Sequence, residues 1–323
     1  MSKKTILVTG GAGFIGSSLV DKLLLEGNKV IVIDNFNNFY DPNIKEKNIQ
    51  PNLNNPNYLL YRVDIREKET INAIFKDNHI DVVIHLAACA GVRPSIENPE
   101  LYQEVNCNGS LNILEAMKNN DVRKLVFASS SSVYGNSKTF PFKETDQVDF
   151  AISPYAATKK ANEVMGHVYH SLYGFSIAFL RFFTVYGPRQ RPDLAINKFV
   201  GLISQDKPIS LFGDGTTSRD YTYIDDILDG IKKAMLWVDE NEKVYEIFNL
   251  GESTPITLIE MVNTIERVLD KKANIDWQPM QLGDVEHTCA DITKAKTILG
   301  YNPQTPFEEG IKKFIEWLEC RHV

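Results

Sequence analysis

The chain has only four cysteines in its 323 residues, and no two of them have the Cys-x-x-Cys spacing. They are Cys89, Cys107, Cys289 and Cys320. This distribution argues against a structural zinc site or a redox pair and predicts reduced, mostly buried thiols. His167 and His170 stand three residues apart without an evident carboxylate or third histidine to complete a site, so we predict no metal.

Positive charge and long apolar runs are also scarce. The 35 lysines and arginines are outweighed by 42 aspartates and glutamates, and the net charge of −7 argues against a general nucleic-acid surface. No apolar stretch approaches the roughly 18 residues of a membrane span, and the first strand begins too early to leave room for a signal peptide. We therefore expect a cytoplasmic protein that binds neither nucleic acid nor membrane.

A glycine-rich turn follows the first predicted strand, Thr5 to Thr9, and runs directly into a helical apolar pattern from Phe14 to Leu25. The turn contains two overlapping glycine patterns, one starting at Gly11 and one at Gly10, and both continue through Gly13 and Gly16. Glycines at such a junction permit a tight turn and allow backbone N–H groups to approach a pyrophosphate at the helix N-terminus. The sequence therefore predicts a dinucleotide-binding turn.

A carboxylate for the adenosine ribose follows at the expected distance. The second apolar strand, Val30 to Ile33, ends in Asp34, 21 residues after Gly13. Asn35 comes next and no arginine is adjacent, so a 2′-phosphate would meet negative charge without a partner. This favours NAD over NADP as the cofactor.

Tyr155 and Lys159 are candidates for proton transfer. Residues at i and i+4 share one helix face, and Ser153 with Pro154 provides a suitable helix start. An ammonium beside a phenol favours the phenolate, which lowers the tyrosine pKa from about 10 toward the pH at which it acts as a base. A Tyr-x-x-x-Lys pattern also suits a plain helix face with a snorkelling lysine. The glycine turn and the serine run Ser129 to Ser132 favour the catalytic interpretation.

Strands alternate with helical patterns through the first half of the chain. The predicted strands cover 5–9, 29–33, 58–62, 82–87, 124–129 and 176–181. Such alternation predicts an α/β fold, a Rossmann-type doubly wound parallel sheet with a smaller C-terminal lobe. Ligands of these sheets bind beyond the carboxyl ends of the strands. His85 lies at one such end, where we expect it to make a structural hydrogen bond.

These motifs resemble the extended short-chain dehydrogenase/reductases, and in particular the NAD-dependent nucleotide-sugar 4-epimerases, over nearly the full chain. The resemblance implies that Ser130 hydrogen-bonds the sugar O4, Tyr155 exchanges its proton, and Lys159 binds the nicotinamide ribose and tunes the tyrosine. It implies an NAD-binding domain over residues 1–181, with later segments near 220–250 packing back on it, and a nucleotide-sugar-binding lobe formed mainly by 182–323. With the glycine turn, the expected cofactor contacts are Gly10, Gly13, Phe14, Ile15, Gly16, Asp34, Asn35, Asp64, Ile65, Leu86, Ala87, Ala88, Asn106, Tyr155, Lys159 and Phe183.

Three further stretches resemble the UDP-glucuronate 4-epimerase branch: Ala90 to Pro94 with Asn98-Pro99, Phe182 to Asp193, and Met280 to Val285. Within the branch, the resemblance places Ser131, Ser132 and Thr184 near sugar C5. There their hydroxyls would hold a carboxylate and suppress decarboxylation of the β-keto acid formed at C4. In an alternative interpretation, the two serines only satisfy backbone groups of the loop.

Arg191 and Arg219 suit a diphosphate because of their forked donors, and Arg93 and Asp284 complete the expected substrate contacts.

The residues before Val133-Tyr134-Gly135 separate related activities. Sugar 4,6-dehydratases carry an Asp-Glu pair there, and UDP-glucuronate decarboxylases usually carry a glutamate, whereas this chain has Ser131-Ser132. Elimination of water then lacks its acid and base. A non-catalytic dinucleotide sensor would not need the serine, tyrosine and lysine.

We therefore predict a UDP-sugar 4-epimerase that interconverts UDP-glucuronate and UDP-galacturonate, with UDP-glucose or UDP-N-acetylglucosamine as alternative substrates. Gln281 departs from the UDP-galactose epimerases, which usually have an arginine there, so the sequence leaves the mode of diphosphate binding open. In this family, helices matching 99–119 and 154–173 commonly pair across a two-fold axis, so the resemblance also implies a homodimer.

Overall fold

The computed structural model describes residues 3–279 and 285–321. The chain divides into two compact units. Unit 1 contains the residues up to Gly135, Gln147–Arg181 and Ile231–Phe248, and unit 2 contains Asn136–Asp146, Phe182–Gly230 and the residues from Asn249 onward. The segment Asn136–Asp146 was assigned to the first domain in our sequence analysis, but it belongs to unit 2. The part of 220–250 that precedes Ile231 also belongs to unit 2.

The described elements are as follows. The strands are β1 (Thr5–Thr9), β2 (Lys29–Ile33), β3 (Tyr58–Tyr61), β4 (Val82–His85), β5 (Lys124–Ser130), β6 (Ser176–Phe182), β7 (Thr184–Tyr186), β8 (Ile209–Phe212), β9 (Ser218–Tyr223), β10 (Tyr245–Leu250), β11 (Pro255–Thr257) and β12 (Ile275–Gln278). The α-helices are α1 (Phe14–Leu25), α2 (Pro42–Ile49), α3 (Lys68–Asp77), α4 (Val92–Glu97), α5 (Pro99–Tyr102), α6 (Ser110–Asn119), α7 (Pro154–Tyr173), α8 (Ala195–Ser204), α9 (Ile224–Glu240), α10 (Leu258–Leu269), α11 (Thr293–Leu299) and α12 (Phe307–Arg321). Short 3₁₀ turns cover Gln50–Asn52 and Ser131–Tyr134, and a π-helical segment covers Gln103–Gly109.

A seven-stranded sheet has the order β10-β6-β5-β4-β1-β2-β3. The neighbours β1/β2, β1/β4, β2/β3 and β4/β5 pair in parallel register. Strands covered on both faces must be apolar throughout, and Ile6, Leu7 and Val8 of β1 are accordingly fully buried. This sheet, flanked by helices, confirms the predicted Rossmann-type α/β class.

The strand order creates a crevice beside β1. The chain leaves β1 for β2 and β3 on one side and then returns to β4 on the other side. At such a reversal the connections after the two central strands diverge, which leaves room for a ligand beyond their carboxyl ends. The turns after β1, β4 and β5 therefore lie at the edge where the sequence analysis expected a cofactor.

The six predicted strands are all present in this sheet: β1 and β2 have the predicted bounds, and β3 to β6 end one or two residues from the predicted position. The seventh, β10, was not predicted individually. The segment has polar residues at Glu246 and Asn249, three positions apart, so it shows neither regular alternation nor a continuous apolar run by which strands are predicted.

Unit 2 contains two small sheets, β11-β9-β7 and β12-β8. Strand β9 is antiparallel to β11 and parallel to β7, and α10 packs against α12. Buried aromatic side chains, among them Tyr186, Tyr301 and Phe314, fill its interior. No helix among the described residues is long and apolar enough to cross a membrane.

The four cysteines are free thiols, but fewer of them are buried than predicted. Cys89 and Cys289 are buried, Cys107 is partly buried, and Cys320 is exposed.

Candidate active site

The glycine turn connects β1 to α1 with a geometry that requires glycine at two positions. Gly10 has φ +70°, and a Cβ added there would lie 2.9 Å from the backbone nitrogen of Ala87. A Cβ at Gly16 would collide with the Gly10 carbonyl oxygen. Gly13 caps α1 without a side-chain hydrogen bond, and the first turn of α1 contains no acidic residue. The positive end of the helix is thus available to an anion, which fits a dinucleotide pyrophosphate.

Asp34, at the end of β2, lies beside this turn. Its carboxylate accepts hydrogen bonds from the N–H groups of Ala12 at 3.1 Å and Phe36 at 2.9 Å. The Lys45 ammonium lies 3.5 Å from the same carboxylate and 3.2 Å from Asn37 Oδ1. Both Asp34 and Lys45 are buried. The sequence analysis noted that no arginine adjoins Asp34, but it missed this buried cation contributed by α2.

Two further predicted cofactor residues connect to the same region. Asn35 donates a hydrogen bond to Asp64 at 2.8 Å, and Arg66 makes an ion pair with Asp64 at 3.0 Å. Hydrogen bonds from Arg66 and Asn35 keep the pKa of Asp64 below its usual value despite the opposing effect of burial. Ile65 follows and is buried. Asp64, an expected cofactor contact, is thus linked to the residue that follows Asp34.

The backbone after β4 is fixed to β1 and to α7. Thr9 Oγ1 accepts hydrogen bonds from the N–H groups of Leu86 at 3.2 Å and Ala87 at 3.1 Å. Buried Asn106 accepts from the Cys89 N–H at 2.8 Å and donates to Thr158 at 3.1 Å. These bonds hold the predicted Leu86–Ala88 segment against its neighbouring elements.

His85 is structural, as predicted. Its Nδ1 lies 2.7 Å from Thr9 Oγ1 and its Nε2 lies 2.9 Å from Ser110 Oγ. Burial, with a smaller contribution from the charge of Lys159, lowers the His85 pKa to about 3, so the ring is neutral at physiological pH.

Tyr155 and Lys159 occupy the start of α7. The helix begins at Pro154, and Ser153 caps it by accepting a hydrogen bond from the Ala156 N–H at 3.1 Å, which confirms the predicted start. The Lys159 ammonium lies 5.9 Å from the centre of the Tyr155 ring and donates to the Ala128 carbonyl of β5 at 2.7 Å. Burial lowers the Lys159 pKa to about 8, although Cys107, Cys89 and Glu163 partly oppose this effect.

Ser130 ends β5 and begins the segment that we call the serine turn, Ser130–Ser132. Its hydroxyl accepts a hydrogen bond from the Ser132 N–H at 3.1 Å and donates to the Ser132 hydroxyl at 3.1 Å. Ser131 and Ser132 are partly exposed in the 3₁₀ turn. Arg93 is exposed on α4. The hydroxyl that satisfies a backbone N–H of this turn is that of Ser130, and the two interpretations of Ser131 and Ser132 stay predictions.

A buried ion pair that the sequence analysis missed lies behind the serine turn. Glu163 accepts hydrogen bonds from Arg181 Nε and Nη2, each at 2.8 Å, and from the Ser129 hydroxyl at 2.7 Å. Arg181 also donates from Nη1 to the Tyr134 hydroxyl at 3.0 Å. Glu163 follows Lys159 by one helical turn, but no sequence signal identified Arg181 as its partner.

The predicted substrate residues of unit 2 lie on or near β7 and β9. Thr184 opens β7 and pairs in register with Tyr221 of β9, while Arg219 donates to the carbonyls of Ser218 at 2.9 Å and Glu286 at 3.3 Å. Phe183 is buried, and its N–H donates to the Leu250 carbonyl at 3.1 Å.

Arg191 makes a two-point contact with Asp193, at 3.0 and 2.7 Å. A diphosphate at Arg191 would compete with that carboxylate. The predicted contact Asp284 and the divergent Gln281 lie outside the described residues.

Comparison with known proteins identifies the family. Residues 7–314 match the family model described as GDP-mannose 4,6 dehydratase. The chain belongs to this family. It lies within the extended short-chain dehydrogenase/reductases, which confirms the resemblance drawn from its motifs.

Individual relatives have more specific names. A Thermodesulfobacterium geofontis protein named UDP-glucuronate 4-epimerase is 44% identical, with 96% of this chain and 95% of the relative covered. The solved Bacillus cereus UDP-glucuronic acid 4-epimerase, in complex with UDP-glucuronic acid and NAD, has a TM-score of 0.92 and 36% identity and covers 98% of this chain and 99% of its own. A Thermotoga maritima UDP-glucose 4-epimerase with UDP-glucose has a TM-score of 0.90 and 34% identity, covering 99% and 100%.

Proposed function

We propose that this chain is an NAD-dependent UDP-sugar 4-epimerase that interconverts UDP-glucuronate and UDP-galacturonate in the cytoplasm. The observation that carries the proposal is the grouping of Lys159, buried and bonded to β5, with Tyr155 on the same helix and Ser130 at the end of that strand. The names of the relative from Thermodesulfobacterium geofontis and of the Bacillus cereus structure support it.

The cofactor site fits NAD. The start of α1, which has no side-chain cap, would hold the pyrophosphate, and Asp34 would accept hydrogen bonds from the adenosine ribose. The Lys45 ammonium, 3.5 Å away, provides a counter-charge for the Asp34 carboxylate in this buried position. NAD held there would supply a hydride acceptor and donor for sugar C4, so the reaction would have no net oxidation.

Tyr155, Lys159 and Ser130 have distinct roles in this proposal. Tyr155 removes the proton from sugar O4 and later returns it. The Lys159 ammonium stabilises the phenolate that Tyr155 needs as a base, and the Ala128 carbonyl fixes its position. Ser130 hydrogen-bonds O4 and holds it toward the tyrosine. Both faces of the sugar can react only if the 4-keto intermediate rotates before it is reduced.

The acidic group of the sugar needs restraint during the reaction. Oxidation at C4 makes a β-keto acid, which loses carbon dioxide when its carboxylate turns perpendicular to the carbonyl plane. Hydroxyl groups of Ser131, Ser132 and Thr184 would hold the carboxylate away from that orientation. Arg219 and Arg191 would bind the diphosphate, with Arg191 exchanging Asp193 for phosphate oxygens.

The description of the family model as a dehydratase does not extend to the chemistry of this chain. Elimination of water requires an acid and a base close to C5 and C6. The positions that supply them in the sugar 4,6-dehydratases are Ser131 and Ser132 here, and hydroxyl groups of ordinary pKa do not perform that role.

A UDP-glucose 4-epimerase is the second candidate. It is favoured by the similarity to the Thermotoga maritima structure, whose TM-score of 0.90 is close to the 0.92 of the glucuronate enzyme. The same Tyr155, Lys159 and Ser130 would serve both reactions, because the proton and hydride transfers at C4 do not involve the group on C5.

Substrate choice is tested by incubating the purified protein separately with UDP-glucuronate, UDP-glucose and UDP-N-acetylglucosamine and following each anomeric signal by NMR. We expect the fastest conversion with UDP-glucuronate, to UDP-galacturonate. Faster conversion of UDP-glucose would establish the second candidate, and release of carbon dioxide with a pentose product would favour a decarboxylase.

We also propose a homodimer formed through α7 and its neighbour α6. Val164, Met165, Val168 and Leu172 form an exposed apolar stripe on α7, and Leu172 is 67% exposed. Exposed stripes of this kind on a helix indicate a helical partner, and a second copy provides the same stripe by symmetry. Light scattering should give twice the chain mass at micromolar concentration. Leu172→Glu should yield monomers, whereas Leu25→Glu on α1, also at an exposed leucine, should leave the dimer intact.

A further inference from the structure

The residues on both sides of the serine turn are held by one buried ion pair. Ser129 precedes the turn and donates to Glu163 at 2.7 Å, while Tyr134 follows it and accepts from Arg181 at 3.0 Å. Glu163 and Arg181 are each only 1% exposed and bind one another through two hydrogen bonds. The segment that carries Ser130 is therefore anchored at both ends by the same pair.

The same pair is connected to the catalytic helix. Tyr155, Lys159 and Glu163 follow one another at intervals of four residues on α7 and so lie along one side of the helix. Arg181 lies on β6, which neighbours β5 in the sheet. A shift of the serine turn relative to Tyr155 would have to break hydrogen bonds at the buried carboxylate or guanidinium.

We propose that Glu163 and Arg181 are positioning residues that fix the Ser130 hydroxyl relative to Tyr155 for the proposed epimerase reaction. Ion pairs that are completely buried are poor sources of stability, because removing two charges from water costs about as much as their attraction returns. Their value here is geometric, since two forked hydrogen bonds define one orientation of the arginine and hence of Tyr134. The proposal rests on the proposed function of Ser130 and Tyr155.

If this positioning role is correct, a more mobile serine turn should slow the chemical step without weakening the binding of substrate or cofactor. Small misplacement of a reacting group typically reduces rate by one to two orders of magnitude. The serine turn and the start of α1 follow different strands, β5 and β1. We therefore expect kcat to fall while KM and NAD content stay close to those of the wild type.

Ser129→Ala and Tyr134→Phe test this directly, because each removes a single hydroxyl group and leaves both charges paired. We expect each to reduce kcat at least about tenfold with KM changed less than about threefold and NAD content unchanged. The matched control is Asp239→Asn, which breaks the ion pair with Lys124 at the other end of β5. It should lower the melting temperature and leave kcat unchanged.

Glu163→Gln adds a readout that loss of stability alone would not change. The titratable groups around Lys159 are His85 and Cys89 from β4 and its loop, Cys107 from the π-helical segment, and Tyr155 and Glu163 from α7. Without the Glu163 charge the Lys159 ammonium loses a stabilising carboxylate, so the alkaline limb of kcat should move to lower pH. Ser129→Ala should reduce kcat without moving that limb.

The outcomes separate this inference from the proposed function. Wild-type kcat in both Ser129→Ala and Tyr134→Phe, with the wild type active, would overturn the positioning role alone. Equal losses of kcat in these variants and in Asp239→Asn would mean that the ion pair only stabilises the fold, and would also overturn the positioning role. A wild type that epimerises no UDP sugar would overturn both proposals.

Discussion

The charge of Lys159 makes the proposed reaction sensitive to alkaline pH. Burial lowers its pKa from the ordinary 10.5 to about 8 in the folded protein, with partial opposition from Cys107, Cys89 and Glu163. The proposed role requires the ammonium form, because neutral amine would no longer stabilise the Tyr155 phenolate. The rate of the wild-type protein should therefore change with pH alone.

The expected change in kcat follows from the titration of Lys159 alone. With a pKa of about 8, the ammonium fraction is about 90% at pH 7, about half at pH 8 and about a tenth at pH 9. The value of kcat should therefore fall nearly tenfold between pH 7 and pH 9. An ordinary lysine would still be about 97% charged at pH 9, and kcat would hardly change.

Titration of Lys159 can be distinguished from unfolding as the cause of lost activity, because this titration changes stability and activity in opposite directions. Between pH 8 and pH 10.5 the unfolded chain holds the Lys159 proton more often than the folded chain. This group therefore increases the free energy of unfolding as pH rises through that window, while activity falls. Initial rates at saturating UDP-glucuronate from pH 6.5 to 9.5, with melting temperatures at each pH and re-assay at pH 7, measure both effects. A flat kcat up to pH 9.5 would show that the charge of Lys159 does not control the rate.

Three further predictions concern single residues. Tyr155→Phe should fold, retain NAD and lose at least about 100-fold in kcat, and near-normal turnover would remove Tyr155 from its role. Thr184→Val should slow epimerisation of UDP-glucuronate about tenfold more than that of a neutral UDP-sugar, because a charged acceptor gains more from a hydrogen bond. Equal losses of rate on both substrates would mean that Thr184 acts through loop structure. Lys45→Met should weaken NAD binding about tenfold in calorimetric titrations of NAD-depleted protein, because the buried Asp34 carboxylate loses its counter-charge. Lys47→Met, at an exposed position on the same helix, is its control, and equal affinities would contradict the role of Lys45.

Features encoded by neighbouring residues were predicted well. Ser153 and Pro154 gave the start of α7, and the spacing of Gly10, Gly13 and Gly16 gave the turn into α1, because capping and backbone conformation depend on a few residues in a row. Apolar runs in the same way located the strands that are buried on both faces.

Features that depend on distant partners were missed. Lys45 contacts Asp34 from 11 positions away, and Arg181 contacts Glu163 from 18 positions away, on a strand rather than on the same helix. In the sequence such charged residues look like surface groups, because their burial depends on how the elements pack. Substrate specificity is likewise not encoded by the Tyr155 and Lys159 motif, which different sugar epimerases can share.

In the proposed reaction, the hydrogen taken from sugar C4 is the same one returned to its opposite face. The most direct measurement uses UDP-glucuronate carrying deuterium at C4, incubated with the purified protein in ordinary water and followed by NMR and mass spectrometry. We expect UDP-galacturonate that keeps its deuterium at C4, without free reduced cofactor. Product with ordinary hydrogen at C4, or no inversion at that carbon, would contradict the proposed reaction.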